Sequence, residues 1–270
     1  MSLELKNVSY RYDGFAAASR VTLSVQEGEF LAVLGPSGCG KTTLLKIIAG
    51  LIAPQEGKVF WRNNDITKAA PQDRDFSLVF QNYALLPHLT VFDNVAFPLA
   101  AKRYRRERSV AQKLRRLWIK PSQSLDQEES RQVYAALKLT RLEGYGLRAV
   151  GSLSGGEAQR VALARSLVTK PTVLLMDEPL ANLDRQLKIQ LREELKRIHR
   201  ELGITFIYVT HDQEEAVVLA QKIALFNKGV LVQTGVPGEL LRRPATEWAG
   251  QFFNANNIVN PQVLRILPNQ

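Results

Sequence analysis

Cysteine occurs once, at Cys39, so the 270-residue chain can close no internal disulfide and can build no metal cluster from thiolates. That scarcity fits a reducing compartment. Long apolar runs are missing as well. None approaches the roughly 20 residues that a membrane-spanning helix needs, and the first residues, MSLELKNVSYRYDG, alternate like a strand and lack the apolar stretch of a secretory signal. The expected location is therefore cytosolic. Acidic residues are scarce in one place: between Lys102 and Lys120 nine lysines or arginines stand against one acid, Glu107, and this stretch carries most of the net charge of +10. Two readings stay open for it, a solvated helical face or contact with anionic lipid or a membrane partner. With 45% hydrophobic residues, the chain can bury a substantial core in one large domain or two modest ones.

The residues that are present alternate between strand and helix patterns. Residues 3–10 and 20–25 read as antiparallel strands, and Phe30-Leu-Ala-Val-Leu34 is a continuous apolar run of the kind found in a buried strand. It leads into Gly35-Pro36-Ser37-Gly38-Cys39-Gly40-Lys41-Thr42, a complete phosphate-loop pattern. The helical pattern Lys41–Ala49 follows, with Gly50 as its stop. This strand–loop–helix context separates a working phosphate loop from a chance match. Its glycines let backbone N–H groups turn inward at a positive helix end. Lys41 is expected to reach the β and γ phosphates of a nucleotide. Thr42 is expected to offer its hydroxyl to Mg²⁺, and Thr43 to lie on the helix toward the α phosphate.

Three further apolar strands end on polar residues. Thr172–Met176 runs into Asp177-Glu178, where Asp177 suits Mg²⁺ and Glu178 suits polarising an attacking water. Ile204–Val209 runs into Thr210-His211-Asp212. Phe76–Phe80 runs into Gln81, which could contact Mg²⁺ or the attacking water or could simply end a strand. Polar groups gathered at the carboxyl ends of strands match the rule for ligand sites in open α/β sheets. His88 and His199 lack such support and read as loop and helix-surface residues. A second glycine-rich turn, Leu153-Ser154-Gly155-Gly156-Glu157, opens another helix and suggests a second phosphate contact.

The order phosphate loop, Gln81, LSGGE, LLMDEP, Asn182-Leu183-Asp184 and Thr-His211-Asp resembles the nucleotide-binding subunit of ATP-binding-cassette (ABC) transporters over roughly residues 3–240. Ala84-Leu-Leu-Pro-His-Leu-Thr-Val-Phe-Asp-Asn-Val-Ala96 and Gln233-Thr-Gly-Val-Pro-Gly-Glu-Leu240 are most similar to the bacterial importer branch serving polyamines, ferric iron, sulfate and sugars. The resemblance implies an α/β P-loop NTPase fold of the ABC ATPase kind, with a mixed β sheet, an antiparallel β subdomain and an inserted α-helical subdomain. It implies ATP and Mg²⁺ as ligands. Tyr12 stands where an aromatic residue stacks on adenine, with Tyr10 as the other candidate. Glu178 resembles the general base and His211 the γ phosphate contact. Ser154, Gly155 and Gly156 would complete the ATP site of a second copy, Asp184 would link across the dimer, and Gln81 would couple nucleotide state to a membrane subunit.

The same resemblance implies a RecA-like core at 1–81 and 160–240, a helical subdomain at 82–159, and a short tail at 241–270 in place of a full regulatory domain. The 73 positions from Gln81 to Ser154 exceed the family pattern, and the excess is assigned to a basic insertion at 102–130. The expected partners are a second ABC subunit (identical or paired), polytopic permease subunits and an extracytoplasmic solute-binding protein, with no nucleic acid. The place of work is the cytoplasmic face of the inner membrane. The expected cargo is an inorganic ion such as ferric iron, or a polyamine. The alternatives are an ABC exporter ATPase and a soluble nucleic-acid-associated ABC ATPase. The latter usually separates its motifs by a long coiled coil, which this chain lacks.

Overall fold

The computed structural model describes residues 2–106 and 120–254. Contacts divide the chain into two compact units, Met1–Phe76 with Leu175–Glu178 and Leu195–Gln270, and Ser77–Leu174 with Pro179–Glu194.

In the first unit β1 (Ser2–Tyr12) and β2 (Phe15–Gln26) pair antiparallel, with Tyr12 opposite Phe15 across the turn Asp13-Gly14. An Asp-Gly pair suits the twist of a two-residue hairpin, and it starts β2 ahead of the expected 20–25 stretch. With β4 (Glu56–Trp61) and β5 (Asn64–Asp65) these strands form a sheet ordered β2-β1-β4-β5. Leu3 and Leu5 on one strand and Val21, Leu23 and Val25 on the next are buried in alternation, as a sheet with one covered face requires.

The second sheet is mixed. β3 (Phe30–Leu34) pairs parallel with β8 (Thr205–Thr210) and with β9 (Lys222–Asn227), and β10 (Val230–Gly235) runs antiparallel on β9. The order continues through β8 to β7 (Val173–Asp177). Every residue of β3 and β8 is buried, which explains the unbroken apolar run of β3 and the apolar stretch of β8 between Thr205 and Thr210. α1 (Lys41–Ala49) follows β3 and stops at Gly50, whose N–H bonds back to the helix. The described part of the tail ends in a helix: in α7 (Glu247–Asn254) Phe253 is buried, and the Gln213 side chain donates to the Phe252 carbonyl at 2.7 Å. Residues 255–270 of the expected tail lie outside the described residues.

One expectation is corrected in this unit. His199, near the end of α5 (Arg185–Leu202), is half-buried, with its ring turned onto the sheet and not free on the helix surface. Its ring meets Phe30 and Phe206 edge-on at 5.2 and 5.0 Å, and Nε2 donates to the Gly28 carbonyl at 2.9 Å. Burial holds its pKa below the ordinary histidine value. The helical pattern could not show this, because the aromatic partners come from distant strands.

The second unit is helical. α2 (Val91–Arg106), α3 (Gln127–Leu139) and α4 (Gly155–Leu167) share a core in which Val95 and Leu99, Val133 and Leu137, and Val161 and Ala164 are buried together. Capping boxes start two of them, Asp126 with Glu129 and Ser154 with Glu157. α4 is continuous through 159/160, and its buried side falls in this helical core. β6 (Phe76–Val79) leads into the unit.

Part of the expected insertion falls within the described residues. Arg103 turns onto the protein: its guanidinium donates to the Ser124 carbonyl at 2.9 Å and pairs with Asp126 at 2.6 Å and Glu129 at 2.7 Å. Asp93 accepts from the Ser122 N–H at 3.0 Å beside it. α2 is thereby fastened to the start of α3, with Arg103 as part of the fastening. Lys102 and Lys120 are exposed. Residues 107–119 of the basic stretch, and the side chains of Arg105 and Arg106, lie outside the described structure.

Candidate functional site

Three neighbouring strands of the first unit end on the residues singled out in the sequence. β3 and β8 run in parallel with Leu34 opposite Thr210, and the Glu178 N–H donates to the Val209 carbonyl at 3.0 Å. The segments after β3, β7 and β8 therefore open at one level. Polar side chains collect there because the buried stretches that precede these strand ends are apolar.

Gly40 caps α1 at φ 107° without a side-chain cap, and no acid occupies the first turn. The helix start is left as an uncompensated positive end, which favours an anion. A Cβ on Gly40 would stand 1.8 Å from the Ala17 carbonyl oxygen, so only glycine fits. That contact has a cause in the hairpin: the register slips between Tyr10–Ala18 and Arg11–Ala16, leaving Ala17 as an extra residue whose carbonyl meets the loop. The hairpin tip is thus seated beside the phosphate loop. It carries Tyr12, 44% exposed, whose ring stands edge-on to Tyr10 at 5.0 Å.

Inside the loop Lys41 is 4% exposed, and its ammonium donates to the Gly35 and Pro36 carbonyls at 2.8 Å each. The same Nζ lies 3.9 Å from a Glu178 carboxylate oxygen. Thr42 donates its hydroxyl to Asp177 at 2.9 Å. Burial raises the Asp177 pKa above the ordinary carboxylate value, and the nearby Glu178 charge acts in the same direction, against the Thr42 hydrogen bond. Burial likewise pushes the Cys39 thiol up. Thr43 is buried on α1, while Ser37 and Gly38 are exposed.

Glu178 adopts φ 44°, a left-handed conformation that costs a non-glycine residue on the order of 1 kcal/mol. The conformation places one carboxylate oxygen 3.0 Å from His211 Nδ1 while the other faces Lys41. The chain on either side of His211 is fixed by hydrogen bonds. Asp212 caps α6 (Gln213–Leu219), and the buried Glu215 accepts from the Tyr208 and Thr210 hydroxyls at 2.8 Å each. Sequence reasoning missed Glu215, since an acid in the first turn of a helix reads as ordinary dipole compensation.

The remaining predicted residues belong to the second unit. Gln81 is exposed in a turn, because β6 ends at Val79. Tyr83 and Ala84 after it are left-handed, at φ 60° and 46°, and their carbonyls accept from Arg165 of α4 at 2.6 Å each. Asn94, fully buried, pins the next stretch by accepting from the Leu86 N–H at 2.8 Å and donating to the Leu86 carbonyl at 3.1 Å. Neither Arg165 nor Asn94 carried a signal in the sequence, since each acts on a backbone that no motif marks. Ser154 caps α4, and Asp184 accepts from the Leu187 N–H at 3.0 Å at the start of α5.

Comparisons with known proteins agree with one another. The ABC transporter family profile matches residues 18–181. The chain is 45% identical over 258 residues to the spermidine/putrescine import ATP-binding protein PotA of Spiroplasma citri, covering 96% of this chain and 68% of the relative. The protein of the same name from Borreliella afzelii is 40% identical over 258 residues, covering 95% and 69%. Among solved structures, a dimeric bacterial ABC transporter cassette is 31% identical with a TM-score of 0.70, covering 87% of this chain and 98% of that one. Clostridium perfringens cbiO1, part of an ABC transporter complex, is 27% identical with a TM-score of 0.74, covering 97% and 96%. With a profile that spans both the phosphate loop and the Asp177-Glu178 strand end, and relatives this similar over nearly its whole length, the chain belongs to the ABC transporter family as one of its ATPase subunits.

Proposed function

We propose that this chain hydrolyses ATP, as one of two cassettes, to drive polyamine import through membrane-embedded permease subunits. The observation that carries the reading is the position of Glu178, with its two carboxylate oxygens held 3.0 Å from His211 Nδ1 and 3.9 Å from the Lys41 ammonium. A carboxylate so placed at the edge of a phosphate loop can take a proton from water attacking a γ phosphate.

Each residue has a role in this scheme. Tyr12 stacks on adenine. The backbone of residues 35–40 and the α1 N-terminus hold the phosphates, and Lys41 exchanges its two carbonyl bonds for phosphate oxygens. Thr43 lies toward the α phosphate. Glu178 takes the proton, and His211, its Nδ1 occupied by Glu178, offers Nε2 to the γ phosphate. Ser154, Gly155 and Gly156 complete the ATP site of the second copy, with Asp184 reaching across, and Gln81 reports the nucleotide state to the permease.

The Thr42–Asp177 pair fits Mg²⁺: both donors are oxygens, they touch at 2.9 Å, and the Asp177 carboxylate is raised in pKa by burial, a penalty that a divalent cation relieves. When bound there, the ion would neutralise phosphate charge; Thr42 and Asp177 hold it, with Gln81 as a further candidate.

Relatives named for spermidine/putrescine import favour a polyamine cargo and lend no support to an inorganic ion such as ferric iron. The same names favour import over export. The working complex contains the cassette pair at the cytoplasmic face of the membrane, the permease and an extracytoplasmic solute-binding protein, and it needs no nucleic acid. Among the described residues no helix is long and apolar enough to cross a membrane, so attachment comes through the permease. The test is the ATPase rate of the reconstituted complex. Spermidine or putrescine with its binding protein should stimulate it several-fold. Stimulation by ferric iron and not by polyamines would reject the cargo.

A further inference from the structure

Gly155 and Gly156, in the Leu153–Glu157 turn (the signature turn), are commonly expected to be small for the sake of a phosphate. In the second unit they also have neighbours of their own chain. A Cβ on Gly156 would stand 2.7 and 2.8 Å from the two δ methyls of Leu187 and 3.2 Å from its Cγ, so the Leu187 side chain would have to move to admit it. A Cβ on Gly155 would stand 3.2 Å from a Leu183 methyl. Leu183 and Leu187 flank Asp184, and the Asp184 carboxylate accepts from the Leu187 N–H at 3.0 Å. One turn further along α4 and two turns further along α5, Arg160 Nε donates to Glu194 at 3.0 Å, and the Glu194 side chain is only 1% exposed. The starts of α4 and α5 are therefore joined twice, by glycine-on-leucine packing at the ends and by an ion pair out of water behind it.

We infer that Leu187 is a positioning residue for the signature turn, its side chain resting where a side chain at Gly156 would stand, so that the glycine lets the two segments pack together. Ser154, Gly155, Gly156 and Asp184 then form one mechanical block. A displacement of the Asp184 segment carries the signature with it, since close-packed side chains shift together. This rests on the reading above that both segments meet the second copy.

The test is suppression. Gly156→Ala should lower the ATPase kcat about tenfold or more, in the range that overpacking produces, while ADP binding by the single subunit stays unchanged because that site lies in the other unit. Leu187→Ala alone loosens the block and lowers kcat less. The double variant Gly156→Ala/Leu187→Ala should be several-fold more active than Gly156→Ala, because the methyl added at one position is accommodated at the other. Leu187→Phe, which presses on Gly156 from the opposite side, should reproduce the loss in kcat with ADP binding retained. Full activity of Gly156→Ala, or a double variant no better than Gly156→Ala while ADP still binds, would overturn the inference and assign the glycine to its ligand. Absence of ATPase in the unmodified protein would instead reject the functional reading.

Discussion

Asp177 shows how burial sets the working range of a single side chain. Its pKa is raised chiefly by desolvation, so the folded protein without Mg²⁺ holds the proton more tightly than the unfolded chain does. The resulting stabilisation is fully present below the ordinary carboxylate value of 3.8 and is lost as pH rises through the raised folded value. Urea unfolding without Mg²⁺ should therefore show the wild type losing stability relative to Asp177→Asn as pH rises through that window. Mg²⁺ needs the ionised form, so its affinity should fall when pH drops through the same window, as read by calorimetric titration in the presence of ADP. An Mg²⁺ affinity that is flat across this range would remove Asp177 from the metal site. Glu178 illustrates a different residue-scale device. Its left-handed backbone is what lets one carboxylate face both Lys41 and His211. An extended backbone would point it elsewhere.

Among the elements, the strands and the phosphate-loop helix were legible because their signals are local. An apolar run of five residues and a glycine-rich turn that opens a helix each act within a few positions, so β3, α1 and the start of α4 follow from the residues alone. Long-range partners were not legible. Arg165 sits 81 positions from the Ala84 carbonyl it holds, His199 finds Phe30 and Phe206 from other strands, and Arg103 finds Asp126 across the expected insertion. Sequence spacing says nothing about such pairs, and a basic run looks alike whether its members meet solvent, lipid or a carboxylate. Arg165 makes a prediction at this scale. Arg165→Ala leaves the left-handed Tyr83 and Ala84 without their donor and should loosen the segment after Gln81. Cargo-stimulated ATPase of the complex should fall roughly tenfold while ATP affinity changes less than about twofold. An equal loss of basal and stimulated rates would deny that the segment transmits anything.

For the molecule as a whole, the two units divide the proposed labour. The first carries the adenine stack, phosphate loop, metal pair, base and histidine, and the second carries Gln81, the signature and Asp184. On the proposed reading a single chain can hold ATP but completes its catalytic site only with a second copy. Family membership was legible because the motifs and their order are specific in combination; the cargo was not, since no residue of the described structure is tied to it. The central claim is that Glu178 is the base of an ATPase that works as a pair. Its most direct test is Glu178→Gln, with the ATPase rate and the ATP-dependent change in mass measured on the same preparation. The account predicts turnover lowered by about 10²–10⁴-fold, ATP still bound, and a stable dimer that forms with ATP and not with ADP. Turnover at the unmodified rate would contradict it.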